Sequence, residues 1–209
     1  MAGRIHIDLF TTLDGVAQAP GAPEEDTAGG FSFGGWQAPL IGSDDGEQIM
    51  KGIRATDALL LGRRTYDIFA GYWPHQVDGP DAEIARRFDA IPKYVASRGQ
   101  PNLGWRGSHL LGPDVAAEVA ALRERHNEIH VIGSIDFAHT LVAESLFDQL
   151  NLWVYPIVVG PGKRLFEPDG PPASLRLLSA PEASEKGAVL LRYAPTGEAP
   201  TTGDMTPGA

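Results

Sequence analysis

Residues 58–67 read Ala-Leu-Leu-Leu-Gly-Arg-Arg-Thr-Tyr-Asp, and this stretch decides the expected fold. The three adjacent leucines predict a buried strand, Gly62 marks a tight turn, and the following residues predict the start of a helix. A helix start leaves backbone N–H groups unpaired and carries partial positive charge, so Arg63, Arg64 and Thr65 would concentrate hydrogen-bond donors there. This chemistry suits a phosphate group. The other interpretation is a sharp turn with two solvated arginines.

The composition limits the classes of protein to which the chain can belong. With 209 residues, of which 43% are hydrophobic, we expect one domain with a sizeable core. The net charge of −10 argues against nucleic acid as a partner, because duplex binding depends on a basic face. The lack of cysteine excludes disulfides and thiolate chemistry. No apolar run reaches the roughly 18 residues that cross a membrane, and no signal peptide is recognisable, so we expect a cytoplasmic protein.

Two further strand ends carry hydrogen-bond donors. Ser97 and Arg98 end one short predicted strand, and Gly133 and Ser134 follow another. Ligands of open α/β sheets bind beyond the carboxyl ends of the strands. The three donor clusters are therefore predicted to lie along one edge of the sheet.

The order of the elements predicts the architecture. Strands and helices alternate to about residue 150, and two strands over 175–178 and 188–193 then form a predicted hairpin. This order indicates a single α/β domain over residues 1–194, with a mostly parallel central sheet and an antiparallel C-terminal edge. Residues 195–209 are rich in Thr, Gly, Pro and Glu, and they predict a disordered tail.

Local patterns predict several boundaries. The apolar run over 150–159 predicts the longest strand, and Ser43 or Asp44 is expected to cap a helix that runs to Arg54. Asp136 is expected to cap the helix after Gly133-Ser134.

A long loop follows the first strand. Residues 16–35 contain two prolines and five glycines, and the acidic residues 24–26 are expected to be exposed. Loops of this length are uncommon inside a compact domain and are more often functional than idle. Trp36, which follows the glycines, is typical of a lid over a pocket or of a plug at the edge of the core.

Histidines raise the question of a metal site. His6 and Asp8 share one face of the predicted strand over 4–10, but no third ligand is near in sequence, which favours a half-exposed polar strand face. His126 and His130 are four residues apart, yet they straddle a predicted helix-to-strand boundary. No metal is therefore predicted.

The motifs occur in a specific order over roughly residues 3–194. They are Asp14-Gly15, Gly35-Trp36 with Pro39, residues 60–66, Tyr72-Trp73-Pro74, Ser97-Arg98, residues 131–134, residues 155–160 and residues 162–166. Together they resemble the dihydrofolate reductase-like superfamily, in the branch of the riboflavin biosynthesis reductase domain (RibD C-terminal-like) and its bacterial relatives.

The resemblance implies a three-layer α/β sandwich that binds NADPH. The cofactor-binding residues would be Gly62, Arg63, Arg64 and Thr65 at the phosphates, Ser97 and Arg98 at the adenosine ribose and its 2′-phosphate, and Gly133 and Ser134 beside the pyrophosphate. Arginine forks suit phosphate oxygens, which agrees with the chemistry read from the residues themselves.

The motifs specify the substrate-binding residues less closely than the cofactor-binding residues. By resemblance the acid that supports catalysis would be Asp44, Asp45 or Asp14, although Asp44 also suits a helix cap and Asp14 a turn. A flat aromatic pocket would be lined by Trp36, Tyr66, Trp73, Tyr155 and Phe166, which are otherwise core residues.

The resulting expectation is an NADPH-dependent reductase that delivers hydride to a small heterocyclic or carbonyl-like substrate. The alternatives are a riboflavin-pathway pyrimidine reductase, a folate reductase, and an NADPH-binding protein without catalysis. Relatives commonly pair through their sheets, so a homodimer is expected, with no nucleic-acid or membrane partner.

Overall fold

The computed structural model describes residues 2–205. The strands are β1 Arg4–Thr12, β2 Ala58–Gly62, β3 Lys93–Ala96, β4 Ser108–Leu110, β5 Glu128–Ile132, β6 Gln149–Tyr155, β7 Leu175–Leu177, β8 Glu182–Ala183 and β9 Val189–Pro195. The helices are α1 Ser43–Ala55, α2 Arg63–Tyr72, α3 Ala82–Ala90, α4 Val115–Arg125 and α5 Ile135–Ala143. None of the helices in this part of the chain is long and apolar enough to span a bilayer.

All the strands belong to one sheet, in the order β4-β3-β2-β5-β1-β6-β9-β7, with β8 paired to β9. The strands from β4 to β6 in that order are parallel, and β9 pairs antiparallel with β6, β7 and β8. The predicted fold class, an α/β domain with a mostly parallel sheet and an antiparallel C-terminal edge, is confirmed. Pro195 pairs with Leu175, so β9 reaches the first residue of the predicted tail, while residues 206–209 lie outside the described residues.

Two strand boundaries differ from the prediction. β1 continues to Thr12, two residues beyond the predicted end, because Phe10, Thr11 and Thr12 all pair with β6. β6 ends at Tyr155 instead of continuing to residue 159, and the next residue, Pro156, has no N–H to donate to a neighbouring strand.

The cap of α1 also differs from the prediction. Gly42 is the residue before the helix, and its N–H donates to the Asp45 carboxylate at 3.0 Å. Neither Ser43 nor Asp44 is therefore the N-cap. The Asp45 carboxylate satisfies a donor that would otherwise be unpaired at the helix start.

The two faces of the sheet differ in polarity. Ile5, Ile7 and Leu9 of β1 point to the face that packs on α4 and α5. Because side chains alternate along a strand, His6 and Asp8 point to the opposite face. On that opposite face, an apolar cluster that contains Leu59, Leu61 and side chains of α2 and α3 covers β2 and β3. The neighbouring strands β1, β5 and β6 present polar groups on the same face. These polar groups form the floor of the candidate site.

Candidate functional site

One cleft of about 1750 Å³ runs past the carboxyl ends of β2, β3 and β5, and its lining extends to α1, β1 and β6. Its volume exceeds the ~300–1,000 Å³ of a typical site for one small ligand. The lining includes every residue predicted to bind the cofactor: Gly62, Arg63, Arg64, Thr65, Ser97, Arg98, Gly133 and Ser134. The parallel order of the strands therefore brings the three donor clusters together.

The turn between β2 and α2 is packed tightly against the start of α5. The Gly62 N–H donates to the Ser134 hydroxyl at 2.7 Å. A Cβ at position 62 would lie 2.9 Å from Ser134 Cβ and 3.1 Å from Phe137 Cβ. Glycine is thus required by close packing. Because its N–H is already bonded, the donors left for a ligand are those at the start of α2.

The turn into α5 uses two consecutive left-handed residues. Gly133 has φ +74°, and Ser134, the residue before the helix, has φ +61°. A left-handed serine costs of order 1 kcal/mol, and such strain concentrates at functional sites. Ser134 occupies the cap position that was predicted for Asp136, which instead lies in the first turn of α5. The Ser134 hydroxyl accepts from the Gly62 N–H. The left-handed backbone and the packing against β2 therefore both keep Ser134 at the cap position.

Four arginines line the cleft, and they differ in their partners; Arg192 pairs with Glu182. Arg63 donates to Asp67 one turn along α2 at 3.0 Å, and Arg64 pairs with Asp26 of the long loop at 3.3 Å. Arg98 is exposed and has no ion-pair or hydrogen-bond partner within residues 2–205. It is therefore the arginine whose guanidinium is available to an anionic ligand without breaking an existing contact.

The long loop is anchored to the rest of the fold at Asp26. Asp26 accepts from Lys163 Nζ at 2.6 Å in addition to Arg64, and its side chain is 13% exposed. The Gln18 side-chain amide donates to the carbonyls of Asp26 and Ala28. The prediction that residues 24–26 are all exposed is wrong for Glu25 and Asp26, which are both partly buried. Glu25 accepts from the Gly21 N–H, and two cations from separate elements converge on Asp26.

We expect Asp26→Ala to loosen residues 16–35 because it leaves Lys163 and Arg64 without their shared carboxylate. Amide hydrogen exchange of this segment should accelerate several-fold, since removing one member of an ion-pair network costs more than removing an isolated surface pair. Glu24→Ala, at an exposed neighbour, is the matched control and should leave exchange unchanged. Equal exchange in the two variants would show that the Asp26 ion pairs do not hold the loop.

None of the three predicted catalytic acids lines the cleft. Asp14 accepts from Thr12 Oγ1 at 2.6 Å and from the Gly160 N–H at 2.8 Å, and these bonds help to lower its pKa although burial opposes them. Asp44 accepts from the Glu185 N–H. Asp45 is 1% exposed and caps α1. All three therefore hold backbone segments in place.

The predicted aromatic pocket is largely absent from the cleft. Trp73 lines the cleft, but the other four candidates, Trp36, Tyr66, Tyr155 and Phe166, do not. Trp36 donates from Nε1 to the Gln18 carbonyl and packs edge-on against Tyr155, so it is a plug in the core and not a lid. Tyr66 is 1% exposed, whereas the Phe166 side chain faces solvent.

The polar floor consists of residues that the sequence analysis did not assign to the site, although it weighed His6, Asp8 and His130 as metal ligands. His130 Nδ1 lies 2.6 Å from Asp8 Oδ2, and Asn151 donates to Asp8 Oδ1 at 2.7 Å. His6 lies beside His130 with the rings stacked 4.7 Å apart, and Glu128 lies next to His6. All five side chains line the cleft.

The ionisation of the floor follows from burial and from the pairing of its groups. Burial opposes a charge on His130, but the adjacent Asp8 carboxylate dominates and raises the pKa of His130. Burial likewise opposes ionisation of Asp8, yet His130 and Asn151 lower its pKa. Burial and the neighbouring His130 lower the pKa of His6. The two histidines therefore differ in proton affinity although they are neighbours on adjacent strands.

The prediction of a half-exposed polar strand face is wrong for His6, which is 6% exposed. The missed signal is the period-two pattern of β5, which places Glu128 and His130 on one face. The register that sets His6 beside His130 joins residues more than a hundred positions apart, and the sequence pattern does not reveal it.

Several known proteins are similar to this chain in sequence or in fold. The chain is 27% identical over 168 residues to the uncharacterised protein YyaP of Bacillus subtilis, covering 78% of this chain and 80% of that protein. A crystal structure from Shewanella sp. PV-4, provisionally designated a riboflavin biosynthesis protein, superposes with a TM-score of 0.69 at 19% identity, covering 94% of this chain and 99% of the other.

Enterococcus faecalis dihydrofolate reductase complexed with NADP(H) superposes with a TM-score of 0.58 at 14% identity, covering 94% of this chain and 98% of the enzyme. These structural likenesses show the fold. The sequence profile of the RibD C-terminal domain matches residues 4–189. The chain belongs to the RibD C-terminal domain family.

Proposed function

We propose that the protein is an NADPH-dependent reductase that transfers hydride to a small heterocyclic or carbonyl-like substrate. The observation that carries the proposal is the convergence of three predicted donor clusters on one cleft, which continues to a polar floor. Membership of the RibD C-terminal domain family supports it, as does the fold shared with a dihydrofolate reductase that was solved with NADP(H).

The residues at the cleft fit a dinucleotide phosphate. The starts of α2 and α5 offer unpaired N–H groups, which favour anionic phosphates. At Gly133 the nearest atoms to a hypothetical Cβ are 3.7 Å away, so the backbone is open to close approach. Arg98 supplies a guanidinium that has no partner among residues 2–205 and suits the 2′-phosphate. When bound, the dinucleotide supplies the hydride, and the chain binds and orients it.

The polar floor would orient the substrate. Asp8 and Asn151 form a bonded pair beside His130, and Trp153 lines the same region. Carboxylate, amide and imidazole groups together match a substrate with several hydrogen-bonding edges, such as a nitrogen heterocycle.

Arg98→Ala is expected to weaken NADPH binding about tenfold or more and to change NADH binding little. The loss corresponds to one charge-assisted contact of roughly 1.5–3 kcal/mol with the 2′-phosphate, which NADH lacks. Fluorescence titration of each nucleotide against the purified variant measures both affinities.

The matched control is Arg176→Ala on β7, because this arginine is exposed and does not line the cleft. Its NADPH affinity should equal that of the wild type. Equal losses for NADPH and NADH in Arg98→Ala would contradict the 2′-phosphate assignment, and no saturable binding of NADPH to folded wild-type protein would contradict the proposed function.

A second candidate function is NADPH binding without turnover. It is favoured by the position of Asp14, Asp44 and Asp45, none of which lines the cleft. Tight NADPH binding, with no oxidation in the presence of a panel of carbonyl compounds, dihydrofolate and ribosylaminopyrimidinone, would support it. Oxidation with one of the last two would instead identify a folate or riboflavin-pathway reductase.

A further inference from the structure

The floor of the cleft holds two histidines and two carboxylates at the centre of the sheet. His6 and His130 are paired residues of the parallel neighbours β1 and β5, and their rings are 10° from parallel. Glu128 precedes His130 by two residues and therefore lies on the same face. The nitrogen and oxygen ligand atoms of these three side chains all lie within 4.8 Å of one another.

His6 carries a buried nitrogen whose pairing is incomplete. Its Nε2 lies 2.7 Å from Glu128 Oε2, but the two groups lack hydrogen-bond alignment, so no hydrogen bond to Nε2 forms within residues 2–205. His6 is 6% exposed, and an unbonded nitrogen at this depth is costly. A cation that accepts both the nitrogen lone pair and the carboxylate oxygen would remove this cost.

Asp8 holds the His130 ring from one side. A carboxylate can only accept, so the contact of 2.6 Å between His130 Nδ1 and Asp8 Oδ2 places the proton on Nδ1. In the neutral imidazole this leaves the lone pair on Nε2, which makes Nε2 the nitrogen that can coordinate a metal. Asn151 fixes Asp8 from the other side at 2.7 Å. Carboxylates that orient metal-bound histidines in this way are a regular feature of metal sites.

We propose that His6, His130 and Glu128 bind one divalent first-row transition-metal ion, of the kind that imidazole ligands favour, such as Zn²⁺ or Co²⁺. Two imidazoles and one carboxylate provide three protein ligands, and the remaining coordination position opens to the cleft for water or a polar ligand atom. In tetrahedral geometry, bonds of about 2.0–2.2 Å place ligand atoms roughly 3.3–3.6 Å apart. The atoms that are farthest apart must therefore approach one another by about 1.2–1.5 Å, which side-chain rotation supplies.

This inference does not depend on the proposed reductase function, because binding of the ion is measured on protein without nucleotide. Metal-free protein is titrated with Co²⁺, whose visible absorption reports imidazole coordination, and Zn²⁺ is then added as a competitor. We expect one Co²⁺ per chain, displaced by one Zn²⁺. His130→Ala and Glu128→Gln should each weaken binding by about tenfold or more.

Glu128→Gln and two further variants separate coordination from folding. Glu128→Gln preserves shape at a side chain that is 37% exposed, and circular dichroism confirms its fold. Asp8→Asn tests orientation and should weaken Co²⁺ binding about 10–100-fold with altered absorption. His75→Ala, at an exposed histidine outside the cleft, is the control and should bind as the wild type does. Absence of stoichiometric binding, or equal affinity in folded Glu128→Gln and wild type, would overturn the metal site and leave a hydrogen-bonded polar cluster.

Discussion

Gly62→Ala is expected to lower the free energy of unfolding by about 2–3 kcal/mol, which is within the range for overpacking a close contact. The added Cβ would meet Ser134 Cβ at 2.9 Å and Phe137 Cβ at 3.1 Å. Neither atom can rotate away, because a Cβ is fixed by its backbone. The start of α5 must therefore move away from β2, which also weakens the bond from the Gly62 N–H to the Ser134 hydroxyl.

The same movement should reduce affinity for NADPH, because it separates the starts of α2 and α5 at the cleft. Urea unfolding and nucleotide titration measure the two effects. Gly71→Ala is the matched control: nothing lies within 4 Å of its hypothetical Cβ, and alanine favours a helix over glycine by about 0.5–1 kcal/mol. A stable Gly62→Ala protein with unchanged NADPH affinity would refute the packing argument.

Lys93→Met is expected to remove a pH dependence of stability that the wild type shows above pH 8. Lys93 is fully buried, and Nζ donates to the carbonyls of Phe88 at 2.7 Å and Ile91 at 3.1 Å. Burial lowers its pKa from 10.5 to about 8, with Asp89 opposing the shift and Arg106 adding to it. The folded protein therefore favours the neutral amine.

The direction in which stability changes with pH follows from proton binding. Below pH 8 Lys93 is protonated in both the folded and the unfolded protein. The folded protein is then destabilised by the full free-energy cost of burying the charged amine. Between about pH 8 and 10.5 the unfolded chain binds more protons than the folded protein, and stability rises with pH. At about 1.4 kcal/mol per pH unit the total gain is roughly 3 kcal/mol. The neutral amine still donates to both carbonyls.

Urea unfolding at pH 7 and pH 10 provides the measurement. The stability of the wild type relative to Lys93→Met should increase by roughly 2–3 kcal/mol between these values. Lys186→Met, which removes an exposed lysine, should leave the pH dependence of the wild type intact. A constant difference between wild type and Lys93→Met at both pH values would mean that Lys93 titrates normally.

Local chemistry along the chain predicted the elements and the edge at which the cleft lies. Three leucines, a glycine and two arginines at residues 58–64 formed the predicted strand, turn and helix start. The donor clusters at Ser97 and Gly133 also lie at strand ends, and the cleft includes all three. Such features are readable because a strand, a turn or a helix start depends on neighbours within a few residues.

The roles of individual polar groups could not be read in this way. Asp14 and Asp45 were candidates for catalysis, but each accepts from backbone N–H groups and neither lines the cleft. Asp26 was expected to face solvent, but it accepts from Lys163, which follows it by 137 residues. A side chain's partners across the fold decide its role, and sequence spacing does not specify them.

The sequence by itself determined the α/β order of elements, the antiparallel end of the sheet and the glycine-containing turns at the edge where the cleft lies. Only the tertiary structure decided what faces the cleft. The pairing of β1 with β5 places His6 beside His130, and the pairing of β1 with β6 places Asp8 beside Asn151. Strand alternation dictates that these side chains share a face, but register between distant strands is set by packing of the whole sheet. The chemistry of the floor is therefore a property of the assembled sheet.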